Sequence, residues 1–223
     1  DAPENTAVSP EDARTRVTTL LTLFAIVAVF WIAFYQNGFT LTFWARDNTA
    51  TAFAPETFQS VEPFGVIAFS FSFVFLWTWM GRRGIEPSTP MKIILGMLFV
   101  AAAFAVMAVA GMIGGDAGRV SMWWLIGAYL LVAVGEVCLS PMGLSLVNRV
   151  APPRSRGLMM GAWFVGLSAG GYLSGMLGAY WGAMPHSRFF LLVVGILLVA
   201  TVLLVLLMPR IRKVLSTVEA LER

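Results

Sequence analysis

Six apolar runs, each long enough to cross a bilayer as a helix, constrain this chain more than any motif in it. A span takes about 20 residues. The runs cover roughly residues 16–45, 55–80, 90–111, 121–149, 155–183 and 188–208, with prolines, glycines and charges between them. In hydrocarbon every backbone N–H and C=O must be satisfied internally, so runs of this kind become helices packed on one another. Composition agrees. Of the 223 residues 58% are hydrophobic and 12% charged, against about 25% charged in soluble domains. The reading is an all-α membrane protein with six transmembrane helices.

The basic residues test that map and orient it. Arg14 and Arg16 precede the first run; Arg82, Arg83 and Lys92 join the second to the third. Arg149, Arg154 and Arg156 join the fourth to the fifth; Arg210, Arg212, Lys213 and Arg223 follow the sixth. With six spans these 12 of the 15 basic residues share one side, leaving Arg46, Arg119 and Arg188 on the other. The positive-inside rule then places both ends of the chain in the cytoplasm, in a multi-pass protein of the cytoplasmic (inner) membrane. The net charge of +3 is explained by that placement and calls for no nucleic-acid partner. A single cysteine, Cys138, excludes an intrachain disulfide and a Cys-rich metal site. The single histidine, His186, falls in a short loop. No metal or cofactor is expected. The first residue is Asp1 and the first methionine Met80, which reads as a processed or excised piece. Residues 1–15 are polar and acidic, without a signal-peptide pattern.

The fourth run, "SMWWLIGAYLLVAVGEVCLSPMGLSLVNR", holds one carboxylate and one proline. Trp123 and Trp124 mark its outer interface and Arg149 its inner one, so Glu136 sits near the middle of the bilayer. A carboxylate there costs on the order of 3 kcal/mol by insertion scales. Such groups face a bundle interior or a water-filled cavity, and desolvation favours either a reversible proton or a cationic partner. Helical spacing puts Tyr129, Glu136, Ser140 and Gly143 on one face. Pro141 cannot donate to the Val137 carbonyl, which adds polarity beside the carboxylate. The plainer alternative is a structural Glu paired to another helix.

Other polar groups lie inside the runs. Glu62 is set about two turns in from Pro55, followed by Pro63, and could equally be an interfacial Glu facing water. The first run carries "FWIAFYQNGFT", whose Gln36 and Asn37 could simply join helices. In the fifth run Gly157, Gly161, Gly171, Gly175, Gly178 and Gly182 share a face, several in GxxxG register, and are expected to pack against a neighbour. Trp163, Gly166 and Gly170 point the other way and could line a cavity, although a lipid-facing Trp is as common.

The stretch "GEVCLSPMGLSLVNRVAPPRSRGLMMGAWF", residues 135–164, resembles the proton-dependent oligopeptide transporter (POT/PTR) family of the major facilitator superfamily. The Gly-Glu, the Leu-Ser-Pro-x-Gly-Leu, the following Pro and the Gly-Leu-Met-Met-Gly-x-Trp-Phe occur in order. "FWIAFYQNGFTLTFWARDNT" is similar to the seventh core helix of that family and "FQSVEP" to its eighth. The resemblance implies the C-terminal six-helix bundle of such a transporter. Residues 1–15 would end the linker between halves, 16–212 would form core helices 7–12, and 213–223 would be a cytoplasmic tail. It implies proton-coupled symport of di- and tripeptides. The partners implied are a small peptide, protons, the bilayer and the N-terminal six-helix half, without which no transport is expected. Glu136 would bind the peptide's amino terminus, with Ser140 near it and Trp163 lining the pocket. Trp31 and Gln36 would face the same pocket from the first run. Two positions depart from the family pattern. Tyr35 stands where an acidic residue usually precedes the Gln, and Glu62 stands where Asn is usual. Glu62 would then be a second carboxylate in the pocket. Two close carboxylates cannot both ionise cheaply, so the pair would share a proton or favour cationic substrates.

Other readings remain. The same fold could carry nitrate or amino acids; a carboxylate pair disfavours an anion. A packing module that binds nothing would have no need of Glu136. An intramembrane enzyme is disfavoured, since the runs hold no nucleophile–base pair, no HExxH and no Asp dyad.

Overall fold

The structure, a computed structural model, describes residues 9–221. Seven α-helices arise from the six runs. The first run is split: α1 (Pro10–Phe34) ends in a 3₁₀ turn at Tyr35–Asn37, and the chain resumes as α2 (Thr40–Asn48). At the break the Gly38 N–H donates to the Tyr35 carbonyl (3.2 Å) and the Phe39 N–H to that of Gln36 (3.3 Å), the tighter pattern of a helix end. The polar cluster noticed in the sequence is therefore where the helix stops being continuous. A 3₁₀ segment, Pro55–Ser60, leads into α3 (Val61–Arg82), followed by α4 (Thr89–Gly114), α5 (Met122–Val150), α6 (Arg156–Gly178) and α7 (His186–Leu221).

The bundle is larger than the expected 16–212 at both ends. α1 begins at Pro10, with the Ser9 hydroxyl accepting from the Asp12 N–H (3.1 Å), proline at the start and two acids in the first turn, a favourable helix start. Residues 10–15 are thus helix rather than linker. α7 runs past Met208, through Pro209, to Leu221. Ile211, Val214 and Val218 are buried, so residues 211–218 form an amphipathic continuation with apolar side chains three and four apart. Residues 1–8 and 222–223 lie outside the described part.

α4 packs on α5 and α7, α1 on α6 and α7, and α3 on α5. α4 and α5 meet closely enough that two glycines are required. A Cβ on Gly96 would fall 2.6 Å from the Gly135 carbonyl oxygen, and one on Gly135 would fall 2.8 Å from that of Gly96. At one end of the bundle a two-residue parallel ladder, β1 (Thr49–Ala50) with β2 (Val120–Ser121), ties the loop after α2 to that before α5. The Asn48 amide secures the same corner by donating to the carbonyls of Asp116 (2.9 Å) and Gly118 (3.2 Å). At the other end the α3–α4 turn brings Glu86 into an ion pair with buried Lys92, whose Nζ lies 4.6 Å from the Trp77 ring centroid.

Five helical segments are long and apolar enough to span a membrane: Pro10–Asn48, Pro55–Arg82, Thr89–Gly114, Met122–Val150 and His186–Ala220. α6, with 23 residues, reaches about 35 Å at the helical rise and is long enough as well. Its glycines dilute the hydropathy. Their placement corrects the sequence expectation about packing. No heavy atom lies within 4 Å of a Cβ built on Gly157, Gly161, Gly175 or Gly182, so most of that face is bare. Gly171 and Gly178 of that face do approach Tyr35, Gln36 and Phe39, but the closest packing is on the opposite face. Gly170 sits against Ala28 and Trp31 of α1, Gly166 approaches Phe24, and Trp163 is buried.

Candidate functional site

α5 carries Glu136 at the middle of its length, half-buried, with Ser140 one turn on and also half-buried. α3 starts at Val61, so Glu62 sits in its first turn, also half-buried. The packing of α3 on α5 sets the Glu62 and Glu136 side chains beside each other. Among the described residues neither carboxylate forms an ion pair. Two carboxyl groups so placed, with no cation to offset them, are held together most cheaply by one shared proton or by an incoming cation.

The break between α1 and α2 forms the facing wall. The Tyr35 ring approaches Gly171 of α6, where a Cβ would be 3.4 Å away. Tyr129 of α5 is buried; its hydroxyl donates to the Asn37 carbonyl (2.9 Å) and also lies near Thr42 and Glu62. The Gln59 amide donates to the Thr42 hydroxyl (2.7 Å). Hydrogen bonds thus tie the α1–α2 region to α5 and to the segment that leads into α3. Tyr35, Thr42 and Gln59 were not singled out as site residues from the sequence. The available signal was position: Gln59 lies three residues before Glu62, and Thr42 one turn beyond the polar cluster of the first run.

The remaining candidates lie in the α1–α6 seam, apart from the carboxyl pair. Trp31 is 3% exposed and Trp163 2%, so neither opens onto a cavity in this arrangement. Trp31 packs edge-on to Phe34 (centroids 5.0 Å apart) and lies tilted against Tyr35 at 5.6 Å. Its indole N–H has no partner among the described residues. Trp163 covers Gly143, where any side chain would collide with the indole, and meets Phe24 edge-on at 5.8 Å. Gln36 is fully buried; its amide donates to the carbonyl and the hydroxyl of Ser174, both at 2.8 Å, while its Oε1 is unpaired. The structure therefore divides the candidates into a carboxyl group (Glu62, Glu136, Ser140) and a seam group (Trp31, Gln36, Trp163). Tyr35 packs with the seam group, against Trp31 and over Gly171.

Comparison with known proteins gives a consistent result. The profile of the POT family matches residues 5–187. The peptide transporter YePEPT of Yersinia enterocolitica is 34% identical over 218 residues, covering 92% of this chain and 42% of its own length. A di-/tripeptide transporter of Lactococcus lactis subsp. cremoris is 28% identical, covering 89% of this chain and 41% of itself. Among solved structures, a mutant of the peptide transporter POT superposes with a TM-score of 0.83 at 30% identity, over 95% of this chain and 43% of that one. The chain spans about two fifths of the length of the curated relatives it matches.

Proposed function

The chain belongs to the POT family, and from that premise we propose that it is the C-terminal six-helix half of a proton-coupled symporter of di- and tripeptides. The observation that carries the proposal is the Glu62–Glu136 pair, two half-buried carboxyls set side by side where α3 packs on α5. Glu136 receives the ammonium group of the peptide. Glu62 is its partner, and the pair shares one proton when no ammonium is present. Binding of the cation and movement of the proton then compete for the same negative charge, which is what couples one to the other. Ser140 offers a hydroxyl one turn from Glu136. Trp31, Gln36 and Trp163 border the pocket when α1 and α6 part, and their burial here reflects a closed seam. In family transporters of this superfamily substrate sits at the midplane between two halves that rock around it. The missing half therefore completes both the pocket and the cycle. The distribution of basic residues supports an inner-membrane protein with both ends of this chain in the cytoplasm.

The test uses the full-length transporter that contains this chain, reconstituted in liposomes with an inward proton gradient. Labelled dipeptide accumulates in wild type, and Glu136→Gln abolishes that accumulation. Absence of dipeptide uptake in wild type would move the weight to nitrate or free amino acids, measured in the same liposomes.

A further inference from the structure

At the basic end of the bundle α1 and α7 leave a cavity of about 150 Å³ between them, lined by Glu11, Asp12, Thr15, Arg16, Lys213 and Thr217. It lies far from the carboxyl pair and takes no part in the mechanism above. Arg16 is 6% exposed, yet its Nε and Nη2 have no hydrogen-bond partner among the described residues. The acids on the same cavity do not close onto it, for Arg16 is in no ion pair among the described residues. A buried guanidinium with two empty donors is expensive to hold, and its planar fork matches the oxygens of a phosphate.

The charges around the cavity say more than that. Arg16 and Lys213 supply two cations, and Glu11 and Asp12 two anions. A simple anion would be repelled by one pair and a simple cation by the other, so the lining suits a ligand that bears both signs. Its depth names the source. About 40 Å of α7 separates His186 from Lys213 at the helical rise, and a bilayer with its headgroups is about 40–45 Å thick. The cavity is at headgroup level, on the side with most of the basic residues, where pockets between helices hold lipid headgroups.

We propose that this cavity binds the headgroup of a phospholipid carrying a phosphate and a primary ammonium, the phosphate on Arg16 and Lys213 and the ammonium on Glu11 and Asp12. The ammonium can donate hydrogen bonds to the two carboxylates, which a choline headgroup cannot do.

Thermal unfolding of the purified, delipidated full-length transporter tests this. Phosphatidylethanolamine is expected to raise the midpoint by a few degrees more than phosphatidylcholine or phosphatidylglycerol does. Arg16→Gln and Lys213→Gln each erase that difference. The double change Glu11→Gln with Asp12→Asn touches no fully buried side chain and turns the preference toward phosphatidylglycerol. Should Arg16→Gln fail to fold, the Lys213 and acid variants decide alone. A midpoint indifferent to lipid headgroup, or a preference that survives those variants, overturns the proposal. Equal stabilisation by soluble phosphoethanolamine or inorganic phosphate would assign the cavity to a solute and overturn the lipid reading as well.

Discussion

α3 and α4 are consecutive in sequence, apolar and long enough to span, yet their surroundings differ. Fourteen of the 26 residues of α4 are buried, whereas Gly65 is the one buried residue among the 22 of α3. Phe64, Phe71 and Phe75 of α3 are each more than 70% exposed. Hydropathy separates lipid from water, but lipid tails and the flank of another helix are equally apolar, so it cannot separate those two. What distinguishes α3 is its end. Glu62 there faces Glu136, and Gln59 just before it is bonded to Thr42 of the α1–α2 region. α3 thus touches this bundle mainly along α5 and leaves its other faces bare. α4, gripped by α5 and α7, is scaffold.

The largest effect expected from this contrast is on the scaffold side. Gly96→Val drives a branched side chain into the Gly135 backbone, which the helix geometry cannot move aside. Overpacking of a tight core costs about 1–3 kcal/mol or more, and here the obstacle is main chain. The full-length variant is expected to lose most of its folded yield in detergent, while Phe71→Ala on the bare face of α3 keeps wild-type yield and melting behaviour. A Gly96→Val protein that melts like wild type would break the distinction.

The second effect is on transport rather than folding. Glu62→Gln keeps the size of the side chain and removes one member of the carboxyl pair. Hydrogen bonds to charged groups are worth about 1.5–3 kcal/mol, so gradient-driven dipeptide uptake is expected to fall by about ten- to a hundredfold, with folded yield unchanged. The pH dependence of uptake is expected to flatten, because the shared proton no longer has two acceptors. Unchanged uptake, pH profile and substrate range together would remove Glu62 from the site.

These two experiments also mark what could be read in the sequence and what could not. The spans follow from hydropathy and helical rise, which are local properties. So does the suspicion attached to Glu62. The broken first helix was present as a polar cluster, but Gln and Asn inside a run do not announce whether they join helices or end one. That depended on Ser174, 138 residues away in the chain, which takes the Gln36 amide. On α6 the GxxxG spacing picks out a face of which only Gly171 and Gly178 are packed here, since such spacing shows where a helix can be approached closely and not which neighbour is there to do so. Residues 213–223 read from sequence as a cytoplasmic tail, yet Val214 and Val218 carry the periodicity of a packed helix; a short amphipathic pattern gains meaning only when the surface it covers, the first turns of α1, is also known to be helical.

The smallest effect concerns which neighbour covers α3, and it leaves fold and uptake intact. Spin labels placed one at a time over residues 64–79 of the full-length transporter in liposomes report accessibility to dissolved oxygen, which is high in lipid. If the other half of the transporter lies along α3, the profile oscillates with a period of about 3.6 residues, with one stripe protected although this chain by itself leaves it bare. Labels on α4 at Leu98, Val109 and Met112, which are exposed on the outer side of the scaffold, remain accessible in the same preparation. A profile uniformly high along α3 would mean that lipid surrounds it on all its free sides. The Glu62–Glu136 pair would then face the bilayer rather than a partner, and a hydrophilic peptide would have no route to it.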